Sequence, residues 1–351
     1  VKRRRRGGGV PAVKRAKRGH RGPAVAAWSG GRVIRLTAAR RRAAARRRAA
    51  GIGRVTVARR GRAGAGSARV GGARGAGPAA APGTIDFHLA ACVTCARAGG
   101  RVLLDHWQRR SSFAVREKGR NDYVTQADSA AEQAIVRIVR SRFPDHAIIA
   151  EESAPGGPPA GAAVQGYRWY IDPLDGTTNY IHGYPLFAVS VGLADAQGMR
   201  AAAVLDPVRD EMFTAARGQG AFLNGRPMRV TRPGRLSSAL LVTGIPFRSL
   251  DRLDEYLRSF RAFITGSAGI RRDGSAALDL AYVACGRYDG FWEMGLSSWD
   301  VAAGSLLVSE AGGVVTDFRG RAGYIESGDI VAASPDIHPA MLRLIREAYG
   351  R

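Results

Sequence analysis

The stretch Asp172-Pro173-Leu174-Asp175-Gly176-Thr177-Thr178-Asn179-Tyr180 constrains this chain more than any other. Two carboxylates stand three residues apart with a proline between them. The apolar run Tyr167-Arg168-Trp169-Tyr170-Ile171 leads into them and reads as a strand. Pro173 has no amide hydrogen for a ladder, so the strand is expected to end there. Gly176 allows close backbone approach, and Thr177 or Thr178 can open a helix. The pattern places acids at a strand end and free amides at a helix start. Carboxylates take hard cations such as Mg2+, and helix-start amides take phosphate. Such a pair suits metal-assisted phosphate chemistry.

The formal charge of +25 is unevenly spread. Residues 1–84 hold 24 Lys and Arg and no acid, leaving 30 basic against 29 acidic residues beyond. The chain therefore divides into a basic Arg/Ala/Gly-rich arm, 1–83, and a nearly neutral body, 84–351, long enough for a large core. The arm has few large apolar residues and no sustained period, so disorder is expected. Its charge suits nucleic acid, an organelle transit signal or an anionic membrane surface. The preferred reading is blander. The first methionine is Met199, and a valine-initiated frame in GC-rich DNA yields such a run, so the arm is read as an over-extended translation start. The sparse cysteines, Cys92, Cys95 and Cys285, suggest a reducing, cytoplasmic setting. The Cys92/Cys95 pair lacks a second ligand pair for zinc and is read as core thiols. No apolar run of membrane-spanning length exists.

Along the body, helices are expected near Ile85 to Ala98, stopped by Gly99 and Gly100, and from Asp128, read as an N-cap, to Phe143. Strands follow at Ala147 to Ala150 and at Phe187 to Leu193, Ala201 to Leu205 and Glu211 to Ala216; Gly220 to Gly225 reads as a turn. The second half alternates strands at Leu240 to Thr243, Tyr288 to Glu293, Gly313 to Thr316 and Ile330 to Ala333 with helices. Those helices are Asp251 to Phe263, Ser275 to Cys285, Asp300 to Glu310 and Pro335 to Tyr349. Patterning alone gives a layered α/β body.

Three motifs in order carry a resemblance: Ala150-Glu151-Glu152-Ser153, Asp172 to Asn179, and Trp299-Asp300-Val301-Ala302-Ala303-Gly304 followed by Glu310-Ala311-Gly312-Gly313. They resemble the inositol monophosphatase family from about Thr84 onward, and Arg271 to Tyr282 resembles its bacterial members most. The resemblance implies an αβαβα sandwich and a Mg2+-dependent phosphomonoesterase for inositol 1-phosphate or a similar polyol phosphate. Fructose 1,6-bisphosphate, histidinol phosphate and a 3'-phosphonucleotide are the alternative substrates. A nucleic-acid or transcription-associated binding role, with the arm as handle, is the alternative from another class. Family members are commonly lithium-sensitive and homodimeric.

By the same resemblance, Glu151, Asp172 and the Leu174 carbonyl hold one metal; Asp172, Asp175 and Asp300 hold a second. Thr177 and Asp128 position and deprotonate the attacking water, with Lys118 near the metal waters. Gly176 and Thr177 offer amides to phosphate. Asp175, Gly274, Ser275, Ala276, Glu293 and Asp300 line the substrate, with Glu293 accepting polyol hydroxyls. Glu152 is expected on the opposite strand face from Glu151, and His182 is read as a packing or hydrogen-bonding residue rather than a catalyst.

Overall fold

The computed structural model describes residues 85–108, 115–119, 122–153, 166–247 and 249–350, so the basic arm and the 155–159 loop lie outside the described residues. Helix α1 spans Ile85–Trp107, and α2 spans Gln126–Arg142. Between them lies an antiparallel pair, β1 (Val115–Gly119) and β2 (Asp122–Thr125).

A seven-stranded sheet follows, in sequence order β3 to β9. Its strands are β3 (Ala147–Ala150), β4 (Arg168–Asp175), β5 (Ala188–Asp195), β6 (Gly198–Asp206), β7 (Glu211–Ala216), β8 (Gly220–Leu223) and β9 (Arg226–Met228). Short helix α3 (Thr177–His182) links β4 to β5. The β3/β4 pair is parallel and the rest antiparallel. A five-stranded sheet has the order β11-β10-β12-β14-β13. Its strands are β10 (Leu240–Thr243), β11 (Gly269–Arg271), β12 (Gly290–Glu293), β13 (Val314–Thr316) and β14 (Ile330–Ala333). The remaining helices are α4 (Leu253–Gly266), α5 (Ala276–Ala284), α6 (Ser298–Glu310), α7 (Tyr324–Ser327) and α8 (His338–Tyr349).

Period-two alternation explains the layering. On β5 and β6, Val189, Val191, Leu193, Ala201, Ala203 and Leu205 join the core under α1 and α2. Ala188, Ala202 and Val204 face α5 and α6 instead. Those two helices also receive Val242, Phe291 and Ile330 from the other sheet. On its far side Leu241, Trp292 and Val331 pack with residues of α4 and α8. Adjacent strand residues point to opposite faces, so two sheets with both faces buried need three helical layers. The result is the expected αβαβα sandwich.

Three local expectations are corrected. Gly99 and Gly100 do not stop α1, which runs on to Trp107. A Cβ at Gly99 would sit 2.9 Å from Ile135 Cδ1, and one at Gly100 would sit 2.5 Å from Leu205 Cδ2. These glycines let helix and sheet approach. Asp128 is the third residue of α2 rather than its cap; Thr125 is the cap. Gly220 to Gly225 holds strand β8 as well as a turn, because Asn224 and Gly225, at φ 48° and 76°, close a tight hairpin to β9. Cys92 and Cys95 are fully buried, as core thiols should be. No described helix is long and apolar enough to cross a membrane.

Candidate active site

Strand β4 does not end at Pro173, but continues to Asp175. Its partner β3 reaches only as far as Ile171, so Pro173 lies where no β3 acceptor waits for an amide hydrogen. On the other side Asp172 pairs with Ser190 and Asp175 with Ala188. Three steps on β4 thus oppose two on β5, the signature of a bulge. Within it the Leu174 amide donates to Asp172 Oδ1 at 2.9 Å. Gly176 then turns with φ 94°, and a Cβ there would press on the carbonyl oxygens of Gly274 and Leu186, each 3.2 Å away. Only glycine suits both the angle and the space.

Three other segments deliver the remaining acids. Glu151 follows β3, its amide donating to Ile171 O at 3.3 Å. Glu151 and Glu152 occupy a turn, so strand alternation does not separate them. The Glu152 amide donates to Glu132 Oε2 at 2.8 Å. Asp300 and Asp128 are each the third residue of a helix and complete capping boxes with Ser297 and Thr125. The Ser297 amide donates to Asp300 Oδ2 at 2.8 Å, and the Thr125 amide to Asp128 Oδ2 at 3.0 Å. Asp128 Oδ1 faces the Thr177 hydroxyl at 3.3 Å, and that hydroxyl also lies 3.0 Å from Leu174 O.

Glu151, Asp172, Leu174, Asp175, Gly176, Thr177, Gly274, Ser275, Ala276, Glu293 and Asp300 line one cleft of about 530 Å³. Asp128 lies behind its wall, fully buried. Lys118 is on β1, at the irregularity between Glu117 and Gly119. Its hairpin leads directly into Thr125. The anticipated residues other than Lys118 therefore gather at or behind one cleft from segments far apart in the chain.

The electrostatics are those of crowded like charges. Burial raises Asp172 well above the usual carboxylate range, and Glu151, Asp175 and Asp300 raise it further. Burial and then Asp300 push Asp175 to about 7, against hydrogen bonds from Ser275 and the Ala277 and Ala276 amides. Burial also lifts Asp128 to about 6, against its Thr125 hydrogen bonds. A multivalent cation would reverse the first two shifts. Hard oxygen donors fit Mg2+. Yet no three acidic, imidazole or thiol groups among the described residues close into a coordination cluster. Hydrogen bonds to internal donors explain the spread: Asp172 faces the Leu174 amide, Asp300 the Ser297 amide, and Asp175 Oδ2 the Ser275 hydroxyl at 2.7 Å and the Ala277 amide at 2.6 Å.

The structure adds residues to the cleft beyond the acidic motifs. Gly244 to Phe247 form one lip of the cleft. A side chain at Gly244 would collide with the Glu293 carboxylate. Arg272, also lining the cleft, lies 5.6 Å from the Phe247 ring centre. Asn179 donates to Leu186 O at 2.9 Å and Asp273 O at 2.8 Å, tying α3 to the loop before α5. Its place inside the acidic motif was the available clue. His182 lines the cleft rather than only packing beneath it. Asp279 lies under the site, 1% exposed, and neither carboxylate oxygen has a hydrogen-bond partner among the described residues.

Known proteins share this sequence pattern and fold. The sequence model described as the inositol monophosphatase family matches residues 86–349. A Pseudomonas aeruginosa protein named Nus factor SuhB is 52% identical over 254 residues, covering 72% of this chain and 93% of its own. The solved extragenic suppressor protein suhB of Bartonella henselae superposes with a TM-score of 0.68 at 39% identity, covering 74% of this chain and 98% of that one. An inositol monophosphatase from Anabaena gives 0.67 at 40% identity, covering 75% and 96%.

Proposed function

The chain belongs to the inositol monophosphatase family, and we propose that it is a Mg2+-dependent phosphomonoesterase acting on inositol 1-phosphate or a similar polyol phosphate. The observation that carries this reading is that Glu151, Asp172, Asp175 and Asp300 all line one cleft. Bound Mg2+ supplies charge neutralisation at the phosphate and makes a water more acidic. Glu151, Asp172 and the Leu174 carbonyl would hold one ion, and Asp172, Asp175 and Asp300 a second.

The chain's own groups then manage the proton. Thr177 Oγ1 stands between the cleft and Asp128 Oδ1. A water beside it can pass a proton to Oγ1 while the hydroxyl proton moves to Asp128. Burial lifts Asp128 to about 6, near working pH, where a general base is most effective. The Gly176 and Thr177 amides are assigned to the phosphate, and Lys118 to the surrounding waters. Glu293 is assigned to polyol hydroxyls, with Gly244 leaving its carboxylate room. Gly274, Ser275 and Ala276 form the facing wall; Ser275 also caps α5 and donates to Asp175. Uncompetitive lithium inhibition and a homodimer accompany the reading.

Phosphate release is the test. Purified protein with Mg2+ is offered inositol 1-phosphate, fructose 1,6-bisphosphate, histidinol phosphate and a 3'-phosphonucleotide. Inositol 1-phosphate should be the best substrate, with activity abolished by chelator. No release from any of the four would overturn the assignment. A second role, in transcription, is favoured by the name of the 52%-identical relative. It predicts binding to purified transcription complexes that survives loss of turnover.

A further inference from the structure

None of the roles assigned in the cleft belongs to Asn179, yet this half-buried residue sits at the cleft's seam. Its backbone oxygen closes α3, accepting the amides of Gly183 and Tyr184, the latter at 2.9 Å. Its side chain turns to other segments. Nδ2 donates to Leu186 O at 2.9 Å and to Asp273 O at 2.8 Å, with Gly274 O at 3.5 Å. A primary amide carries two protons on nitrogen, enough for both of the shorter bonds. An ionised carboxylate in this place donates none, and a hydroxyl donates one.

The same two segments crowd the turn after the acidic strand. Leu186 O and Gly274 O are the oxygens that a Cβ on Gly176 would meet, each at 3.2 Å. Gly274 in turn lies against the amide, since its own Cβ would stand 3.3 Å from Asn179 Nδ2. The wall that begins at Gly274 therefore rests on Asn179. From another side, the Tyr288 hydroxyl donates to Asp273 Oδ2.

The wall returns the contact. Ser275 Oγ donates to Asp175 Oδ2 at 2.7 Å, and the Ala277 amide donates to the same oxygen at 2.6 Å. Each of the two turns thus lends a side chain to the other, across 94 positions for Asn179 and Asp273 and 100 for Ser275 and Asp175. A shift of the wall away from Asn179 would carry Ser275 and the Ala277 amide away from Asp175.

We propose that Asn179 is a positioning residue for metal binding: it clamps the 273–276 wall so that Ser275 and the Ala277 amide hold the Asp175 carboxylate in place. This rests on the Mg2+-dependent reading above and adds to it a residue that acts through Asp175.

Calorimetric titration with Mg2+ alone tests it, because no turnover is needed. Asn179→Ala should bind Mg2+ about tenfold more weakly, a loss typical of groups that orient a ligating carboxylate. Ser275→Ala should weaken binding as well. The double variant should lose less than the product of the two single losses, since both act on one carboxylate. A purely structural Asn179 would leave Mg2+ affinity unchanged or give losses that multiply, and either result would overturn the proposal. If circular dichroism shows that Asn179→Ala does not fold, Asn179→Ser, which keeps one donor proton, is put through the same cycle with the same criteria. Mg2+ binding without phosphate release by the unmodified protein would remove the phosphatase reading alone. No Mg2+ binding by the unmodified protein would remove the metal reading and this proposal together.

Discussion

The two ends of the seven-stranded sheet handle buried charge in opposite ways. At one end of β5, Ala188 pairs with Asp175, beside the acid cluster. At the other end, Asp195 receives Arg217 Nη2 at 2.7 Å, Arg200 Nη1 at 3.1 Å and the Gln197 amide at 2.9 Å. Burial acts to raise Asp195, but hydrogen bonds from Arg217, Gln197 and Arg200 outweigh it and hold the carboxyl below its usual range. Close by, burial and then Arg200 lower His88 to about 4, leaving a neutral ring whose Nδ1 accepts from Arg200 Nε at 3.0 Å. At the Asp195 end guanidinium groups hold the carboxylate charged; at the other, burial and neighbouring acids raise Asp172 and Asp175 despite their hydrogen bonds.

The sharpest way to break this contrast is Asp175→Asn. Turnover should fall by more than about a hundredfold, since even indirect metal-site partners are worth 10- to 100-fold. Circular dichroism should remain unchanged. Near-normal turnover at saturating Mg2+ would remove the metal from the argument.

Stability should separate the two ends next. Saturation by Mg2+ at a hundred times its Kd should stabilise the protein by about 2.7 kcal/mol. Asp175→Asn should lose most of that gain. Without metal the sign reverses. Asp175 has a raised folded pKa, so its contribution is full below the ordinary carboxylate range near 4 and is lost as pH rises through about 7. In chelator at pH 8, therefore, Asp175→Asn should melt above the unmodified protein. Melting curves in Mg2+ and in chelator check both arms.

Asp195→Ala should cost about 2 kcal/mol, with or without Mg2+, because two guanidinium groups lose their acceptor. Asp195 has a lowered pKa, so its contribution is present above the unfolded value and fades as pH falls. Denaturant titrations at pH 7 and pH 3 should show the penalty shrinking in acid. A penalty that depended on Mg2+ would erase the distinction between the ends.

The smallest effect is expected at Asp279. Burial, then Asp273, Glu293 and Asp175, raise its pKa well above the usual range, with Arg272 opposing. Its stability contribution should thus decline as pH rises above the ordinary carboxylate value. Asp279→Asn should remove that decline and add about 1 kcal/mol at pH 8. Destabilisation at pH 8 would mean that the carboxylate has a partner beyond the described residues.

Much of this molecule was readable from residue order. The strands β5 and β6 and the acidic motifs were legible, because both depend on neighbours within a few positions. The identities of Asp172, Asp175 and Gly176 likewise set a bulge and a turn that few other residues allow. Pro173 misled because its lost amide matters only if a neighbouring strand is there to accept it, and β3 stops first. Gly99 and Gly100 misled because a glycine in a helix reads as a stop until the sheet beneath it is known. Tertiary structure decided how distant segments meet: Thr177 finds Asp128 across 49 positions, as the resemblance implied, and Asp175 finds Ser275 across 100. Local sequence sets backbone conformation and the face a side chain takes. Charge repulsion, burial and the room around Glu293 depend on distant segments, so they exist only once the layers have packed.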